Sequence, residues 1–507
     1  MAARSKGAIL LVLAAALALI SLDNTIVNVA LPTLQEELGA STAELQWVVD
    51  AYSVLFAGML LLAGSLGDRF GRRRALIIGL VIFGAGSFAA GFATSADMLI
   101  ACRAIMGIGG AFIMPSTLSI LVQVFTEPRQ RAQAIGIWAA VAGAAVAVGP
   151  ILGGLLLEVT TWHAIFWVNP PLVILALIAT FALVPESCDP SRPRLDPLGA
   201  VLSTIGIVAF VVTVIEVPDQ GFSPVTIGST ITAVIFLVAF VWWERRAPRP
   251  LLPMSLFANR LFTVAIITVA LVYGALMGVM FFLPQFLQLV QGDTPLQSGF
   301  AMLPAAGGLF LASLFSPRWA ERLGTRRVVV SGLILVVLGL ALAAYLTADS
   351  AYLHVGGSLG LMGLGLGMVL PQATNAVLAS VPRERAGMGS AVNDGVGELG
   401  GSLGVAILGS LLSLGYRNEI EAQITAAGDA IASIPASVVE SVRESLAAGS
   451  LAVASLPADI ATPIRQVAGN AFVSGMTTAL MVAATIVGAG ALLAWRMFPA
   501  RVDRVEE

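Results

Sequence analysis

The chain has 507 residues, of which 58% are hydrophobic and only 11% are charged, and its formal net charge is -3. Soluble domains carry about 25% charged residues, so this composition excludes a water-soluble enzyme and a disordered chain. There is no basic excess that would attract nucleic acid. Two cysteines and two histidines are too few for a disulfide framework or a metal centre. The composition is typical of an all-α integral membrane protein.

Apolar runs long enough to cross a bilayer, about 20 residues each, recur along the chain. They predict fourteen transmembrane helices, in chain order 8–31, 46–66, 75–94, 98–121, 132–156, 164–184, 198–217, 226–243, 262–290, 299–317, 327–347, 353–378, 388–415 and 470–497. The first run continues into Asp23, Asn24 and Thr25 without a small-residue cleavage site. It is therefore predicted to be a retained helix and not a signal peptide.

The distribution of basic residues predicts the orientation of the chain. Arginines such as Arg72, Arg131 and Arg245 lie in alternate loops, whereas the intervening loops before residue 416 contain acidic residues and neither Lys nor Arg. The positive-inside rule then places both termini in the cytoplasm, which requires an even number of spans. The segment 416–469 contains arginines but is predicted to be a long extracellular loop, because long loops escape the rule.

An internal repeat predicts two homologous halves. Residues 68–74 (DRFGRRR) reappear as 321–327 (ERLGTRR), and residues 106–109 (MGIG) reappear as 362–365 (MGLG). Repeated bundles with a substrate site at their interface are common in transporters. The repeat equates the third predicted span with the eleventh, so the two copies are eight spans apart. Two adjacent six-helix bundles would place them six spans apart.

Two helices must therefore be inserted between two six-helix bundles. The predicted domains are an N-terminal bundle (1–195), the two inserted helices (196–250) and a C-terminal bundle with the long loop (251–507).

Four motifs resemble signatures of the major facilitator superfamily and occur in the same order. Residues 64–74 resemble its loop between the second and third helices, and Arg103 with the glycines that follow it resembles its fourth-helix arginine motif. Residues 149–154 (GPILGG) resemble the fifth-helix motif of its antiporters. Residues 22–32 resemble the first-helix signature of its fourteen-helix drug:proton antiporters. The resemblance extends over the whole chain.

Within that family, residues 47–53 together with Asp394 and Glu398 resemble the quaternary-ammonium-compound exporters. The resemblance implies the superfamily fold, a proton gradient as the energy source with no cofactor, and export of lipophilic organic cations. The chain departs from those exporters in 299–317, which has no acidic residue, and at Gly397, where many relatives have Arg. The first departure disfavours dications, and the second favours a cation site because no guanidinium neutralises the nearby acids.

Asp23 and Arg103 are predicted to form the proton-coupling site. A charge in the middle of a spanning helix costs roughly 2.5–3.5 kcal/mol, so residues of this kind are functional candidates. The two lie at similar predicted depths, about 12 Å and about 9 Å from the outer ends of their helices. One interpretation is a permanent ion pair that fixes helix packing. The other is a carboxylate that gains and loses the coupling proton.

Asp394 and Glu398 are predicted to bind the cationic substrate. They are four residues apart and share one helix face, and two neighbouring acids resist ionising together, so the pair can hold a proton or a cation. A water-facing polar stripe is the alternative. Asp50 is predicted either to attract cations at the exit or to meet interfacial water. Further cavity-lining candidates, for which ordinary packing is the alternative, are Asn24, Asn28, Trp47, Tyr52, Met277, Met280, Phe281 and Phe282.

Two groups of residues are predicted to act in gating. Asp68 and Arg72 resemble the superfamily's cytoplasmic latch, with plain topology anchoring as the alternative. Gly149, Gly153 and Gly154 allow close helix approach and Pro150 removes a backbone donor, so this part of the fifth helix is predicted to be a kinked, tightly packed hinge.

The sequence therefore predicts a proton-coupled multidrug antiporter that exports hydrophobic, cationic compounds across the plasma membrane of a bacterium. Its partners are expected to be a small-molecule substrate, protons and the lipid bilayer, and the chain is expected to act as a monomer. No phosphate-binding G-x-x-x-x-G-K-[ST] run occurs, which disfavours ATP-driven transport. The alternatives are a dedicated exporter of one endogenous antibiotic, lipid or metabolite, and a membrane receptor of the same fold that does not transport.

Overall fold

The computed structural model describes residues 3–188, 196–248, 250, 252, 254–381, 386–427, 434–453 and 456–500, and every regular element in these ranges is helical. The first part contains α1 (Ala3–Leu38), α2 (Thr42–Phe70), α3 (Arg72–Ala90), α4 (Ala96–Val124), α5 (Pro128–Val159), α6 (His163–Trp167), α7 (Asn169–Leu183), α8 (Pro197–Gln220) and α9 (Pro224–Glu244). The second part contains α10 (Arg260–Gln285), α11 (Pro295–Ala301), α12 (Leu303–Leu323), α13 (Thr325–Ala343), α14 (Tyr352–Ala379), α15 (Ala386–Ala427), α16 (Ala436–Glu444), α17 (Leu446–Val453) and α18 (Ala458–Met497).

Within the described residues, twelve helices are long and apolar enough to cross a membrane. Of the fourteen predicted spans, α2 and α5 are not among the twelve, and both include residues whose side chains lie outside the described part of the chain. The integral membrane class is thus confirmed, whereas the count of fourteen spans stays a prediction.

The internal repeat appears as matched packing in the two parts of the chain. In the first part α2 and α3 pack on α4 and α1 packs on α5; in the second part α12 and α13 pack on α14 and α10 packs on α15. The repeated basic loops also match, because the residue that caps α2 is Gly71 with φ 122° and the residue that caps α12 is Gly324 with φ 88°. These positive φ values favour glycine, which explains why both copies of the motif contain it at this position.

α8 and α9, the two helices that the sequence predicts to be inserted, pack on the outside of the other helices. α8 covers the seam between α2 and α15, where Val54, Val211, Ile215 and Ala406 form a buried apolar cluster. The Thr204 hydroxyl of α8 donates to the Gly58 carbonyl of α2 at 3.0 Å. α9 packs on α8 and leaves its other face exposed.

The segment 416–469 differs from the long loop that was expected. α15 continues to Ala427, α16 and α17 follow, and α18 begins at Ala458. The Tyr416 hydroxyl donates to the Val442 carbonyl at 2.6 Å, so α15 and α16 are joined at this end of the bundle. A hydropathy run ends where polar residues begin, but a helix continues through them when its backbone bonds and caps are satisfied, which is why the boundaries differ.

Lys6, near the start of α1, and Ala500, just after α18, lie at the same end of the bundle, here called the terminal end. The Lys6 ammonium lies 5.9 Å from the Phe125 ring, which follows α4, and a Cβ on Gly324 would lie 2.5 Å from the Ala500 carbonyl oxygen. The loops after α4 and α12 therefore share this end with the termini. The other end of the bundle is called the opposite end.

Candidate proton and substrate site

Asp23 of α1 and Arg103 of α4 form an ion pair in the interior of the first half. An Arg103 terminal nitrogen lies 2.5 Å from Asp23 Oδ2, and neither side chain is exposed. Asn169, at the start of α7, donates to Asp23 Oδ1 at 2.8 Å. Asn169 also donates to the Ser87 hydroxyl at 3.0 Å, and Ser87 donates to the Phe166 carbonyl at 2.8 Å. The predicted contact between Asp23 and Arg103 is confirmed. α4 and α7 bind the carboxylate directly, and α3 and α6 hold Asn169 in place through Ser87 and Phe166.

Arg103 is held from α2 as well. Its Nε donates to the Val48 carbonyl at 3.0 Å, and its guanidinium carbon lies 4.5 Å from the centre of the Tyr52 ring. The α2 and α4 backbones lie very close together at this contact. A Cβ on Gly107 would overlap the Tyr52 carbonyl, so only glycine allows this approach. The fourth-helix glycine thus positions the arginine against α2.

Glu398 of α15 is the acid of the second half that reaches the first half. A side-chain hydrogen bond joins it to Ser53 of α2, and it interacts electrostatically with both Asp394 and Arg103. Asp394 is half-buried and accepts a hydrogen bond from Asn393 at 3.1 Å. Glu398 lies twelve residues after the start of α15, which is about 18 Å along the helix. The second acid pair is therefore close enough to Arg103 to interact with it electrostatically, whereas the direct ion-pair partner of Arg103 is Asp23.

Tyr52 and Tyr273 connect these acids. The Tyr52 phenol interacts electrostatically with Asp23, Arg103 and Glu398, and its hydroxyl is buried without a hydrogen-bond partner among the described residues. Tyr273 of α10 interacts with Asp394 and Glu398. A Cβ on Gly397 would lie 3.2 Å from the Tyr273 ring, so this glycine gives the ring room beside the acids. The result is one polar region that crosses from the first half to the second.

Asp50 does not lie near the surface, where the sequence placed it. α2 begins at Thr42 after a capping box formed by Ser41 and Glu44, so Asp50 is about 12 Å along the helix. Its side chain is fully buried, and the Ser402 hydroxyl of α15 donates to it at 2.6 Å. Asp50 therefore joins the two halves and does not contact interfacial water.

Of the other predicted cavity-lining residues, Trp47 and Phe281 pack against neighbouring helices, whereas Asn24 and Asn28 lie one turn apart on α1. Trp47 packs against the α8 cluster and donates to Glu216 Oε1 of α8 at 3.2 Å. Phe281 is fully buried, and its ring would lie 3.0 Å from a Cβ on Gly409 of α15. Asn28 is buried and donates to the carbonyl of half-buried Asn24 at 3.2 Å. Trp47 and Phe281 thus serve helix packing in this conformation.

The glycines of α5 lie in two helix contacts. Gly149 and Gly153 face Thr25 and Ile26 of α1, whereas a Cβ on Gly154 would lie 2.5 Å from the Pro295 carbonyl of α11. These are the tight helix contacts that the sequence predicts for this part of α5.

The contact from Gly154 belongs to a closed seam at the opposite end. A Cβ on Gly299 would lie 2.5 Å from the Pro150 carbonyl, and Thr294 donates to Glu158 Oε1 at 2.7 Å. Gln288 of the second half donates to the Val29 carbonyl of α1 at 3.0 Å. The two halves therefore meet closely at this end of the bundle.

Replacing Gly154 with Ala is expected to destabilise this closed seam, because the new Cβ would meet backbone atoms that cannot move aside. Cysteine labelling of residues at the opposite end should then become several-fold faster. Gly307→Ala is the matched control, since a Cβ on Gly307 has no atom within 4 Å. Equal labelling rates in the two variants would contradict the assignment of Gly154 to the seam.

The basic loop after α2 is bound within the first half. Arg72 donates to Gln123 Oε1 of α4 at 2.7 Å, and its backbone N–H donates to the Ser187 carbonyl at 2.8 Å. Asp68 is in the last turn of α2, but its side chain lies outside the described residues. The latch predicted for Asp68 and Arg72 stays a prediction.

Sequence reasoning missed several polar residues of the site, namely Ser53, Ser87, Asn169, Tyr273 and Ser402. An asparagine followed by two prolines inside an apolar run is a signal that could have identified Asn169. The serines and Tyr273 have no sequence signal of this kind, because single Ser and Tyr residues are common in spanning helices.

The fold and the site define a multi-pass membrane carrier made of two related halves with ionisable groups between them. Residues 13–405 match the family model of the Major Facilitator Superfamily. The chain belongs to the Major Facilitator Superfamily, whose members are transporters that carry small molecules across membranes.

Two curated relatives are similar along nearly the whole chain. The multidrug resistance protein Stp of Mycobacterium tuberculosis is 34% identical over 95% of this chain and 90% of its own length. The multidrug efflux pump LfrA of Mycolicibacterium smegmatis is 35% identical over 95% of this chain and 94% of its own length. A crystal structure of a bacterial homologue of the human lysosomal transporter Spinster, inward-facing and unoccupied, has a TM-score of 0.68 at 18% identity and covers 98% of both chains. That similarity shows the fold alone.

Proposed function

We propose that the protein is a proton-coupled antiporter that exports hydrophobic, cationic compounds from the bacterial cytoplasm. The observation that carries this proposal is the polar region in which Arg103 is paired with Asp23 of the first half and interacts electrostatically with Glu398 of the second. The names of the relatives Stp and LfrA, a multidrug resistance protein and a multidrug efflux pump, support drug efflux. The protein would act as a monomer in the plasma membrane, with both termini cytoplasmic and without a cofactor or enzymatic activity.

The coupling follows from competition for Arg103. While Asp23 is ionised, it neutralises the guanidinium, and Glu398 and Asp394 keep their full attraction for a cation. Protonation of Asp23 removes that partner, so Arg103 is attracted to Glu398 and displaces the bound cation. A proton and a cationic substrate then exclude one another, which is the requirement for antiport.

The energy source is sufficient for this exchange. One proton that moves inward gains about 2.3 kcal/mol per 100 mV of membrane potential, before the pH difference is counted. The closed seam at the opposite end and the polar region beneath it support a rocking movement of the two halves. In that movement, contacts such as Asp50 with Ser402 would be broken and remade.

The test is transport by purified protein in liposomes with an imposed proton gradient. We expect uptake of tetraphenylphosphonium, a lipophilic monovalent cation, against its own gradient, and collapse of this uptake when a protonophore is added. A neutral or anionic compound carried equally well would favour the dedicated-exporter alternative. The absence of any gradient-driven transport would favour a receptor of the same fold.

A further inference from the structure

The outer face of α9 carries two parallel rows of side chains that end in arginine. Residues four apart on a helix lie above one another. The rows are Leu237, Val241 and Arg245 in one and Val238, Trp242 and Arg246 in the other, and together they line a groove of about 580 Å³. The helical turn continues through both arginines, because the Arg245 N–H donates to the Val241 carbonyl and the Arg246 N–H donates to the Trp243 carbonyl.

This face has no packing partner among the described helices other than at its edges. Leu237 lies at one edge of this face, where it closes on Gly206 of α8. α9 contacts α8 with its other side, where the Thr213 and Ser229 hydroxyls are 2.9 Å apart. Val238 is 64% exposed and Trp242 is 53% exposed. The rows therefore face the surrounding lipid at the terminal end of the bundle.

The charge on this face is positive. The Arg246 guanidinium carbon lies 4.1 Å from the centre of the Trp242 ring, and both arginines are exposed. The adjacent acid is turned inward, because Glu244 is buried and accepts a hydrogen bond from the Leu252 N–H at 2.9 Å. Trp243, between the two rows in sequence, points away from the groove and donates to Asp196 at 2.8 Å.

We propose that this groove is a binding site for an anionic glycerophospholipid. Two adjacent guanidinium groups suit a phosphate, which they can bind in bidentate geometry. Trp at the membrane interface suits the glycerol region, and the apolar part of both rows suits an acyl chain. A zwitterionic lipid brings an ammonium group toward the same arginines and so binds less tightly. The site is distinct from the acids that handle substrate and does not depend on the transport function.

Native mass spectrometry of the purified full chain with added dioleoylphosphatidylglycerol or dioleoylphosphatidylcholine tests the proposal. We expect the anionic lipid to bind about tenfold more tightly, as two surface arginines allow. Arg245→Ala with Arg246→Ala should abolish this preference, and Arg245→Lys with Arg246→Lys should retain only part of it, because an ammonium group keeps the charge but cannot bind a phosphate in bidentate geometry. Equal binding of the two lipids by the wild type would overturn the proposal.

A matched control is present at the same end of the bundle. Arg326 lies 5.4 Å from the ring of Trp495, which is 54% exposed, and Arg327 is adjacent to it. Arg326→Ala with Arg327→Ala removes the same charge beside an equally exposed Trp, and it should leave the lipid preference unchanged. If this control loses the preference as fully as the α9 variant, binding follows general surface charge and the proposed site is wrong.

Should the alanine variant be unstable, quenching by brominated lipid gives an independent readout. Brominated phosphatidylglycerol is expected to quench the wild type more than Trp242→Phe, by the share of fluorescence that Trp242 contributes. Identical quenching of the two proteins would place the lipid elsewhere.

Discussion

Asp23→Asn is expected to reduce gradient-driven transport to the level of empty liposomes. The substitution removes the ionisable group while it keeps the shape and the hydrogen bond from Asn169. Equilibrium exchange of substrate across the membrane needs no net proton movement, so we expect the variant to retain exchange. The measurement is tetraphenylphosphonium uptake under an imposed pH gradient, compared with its exchange at uniform pH.

Stability must be separated from coupling in this variant. Removing one partner of a buried ion pair typically costs about 3–5 kcal/mol, because the other charge remains unpaired. The double variant Asp23→Asn with Arg103→Gln removes both charges and should recover most of that stability. If it also recovers gradient-driven transport, then the pair only fixes helix packing. Asp97→Asn, an exposed acid at the start of α4, is the matched control and should behave as the wild type.

Replacing Glu398 with Gln and Asp394 with Asn is expected to abolish the proton release that a cationic substrate stimulates. A cation that enters the site displaces the proton shared by two neighbouring acids, so proton release requires at least one of them. Of the two single substitutions, Glu398→Gln should reduce proton release more than Asp394→Asn, because Glu398 contacts Ser53 of the first half and interacts with Arg103. Each substitution should weaken binding of a monovalent cation about tenfold, or about 1.4 kcal/mol.

Proton release from detergent-solubilised protein with a pH-sensitive dye measures this effect. Asp349→Asn, an exposed acid in the loop before α14, is the control and should leave proton release unchanged. Undiminished release from the double variant would exclude both acids as the substrate site.

Much of the architecture could be predicted from local sequence. The inserted helices were expected at 198–217 and 226–243, and α8 and α9 begin and end within three residues of these bounds. The repeated basic motif predicted matched halves, and its glycines occupy the same positive-φ position in both copies. Hydropathy and sequence repeats are properties of the chain itself, so both can be recognised without knowledge of the tertiary contacts.

Some contacts between side chains could be predicted from the sequence and others could not. The contact between Asp23 and Arg103 could be predicted, because a buried charge needs an opposite charge at similar depth. The sequence could not predict that Asp50 bonds Ser402 or that Trp47 faces α8, since a residue's depth does not determine which neighbouring helix it faces. These are contacts between residues 352 and 169 positions apart.

The sequence by itself determined that this chain lies in a membrane, that it is a duplicated carrier, and which side chains are charged within the spans. It could do so because burying an apolar run or a charge in lipid has a large free-energy effect wherever the residue lies. Only the tertiary structure decided that Arg103 pairs with Asp23 within electrostatic reach of Glu398 and that α9 is followed by two exposed arginines. Those relations depend on helix rotation and packing, which many small contacts determine together and no single residue specifies.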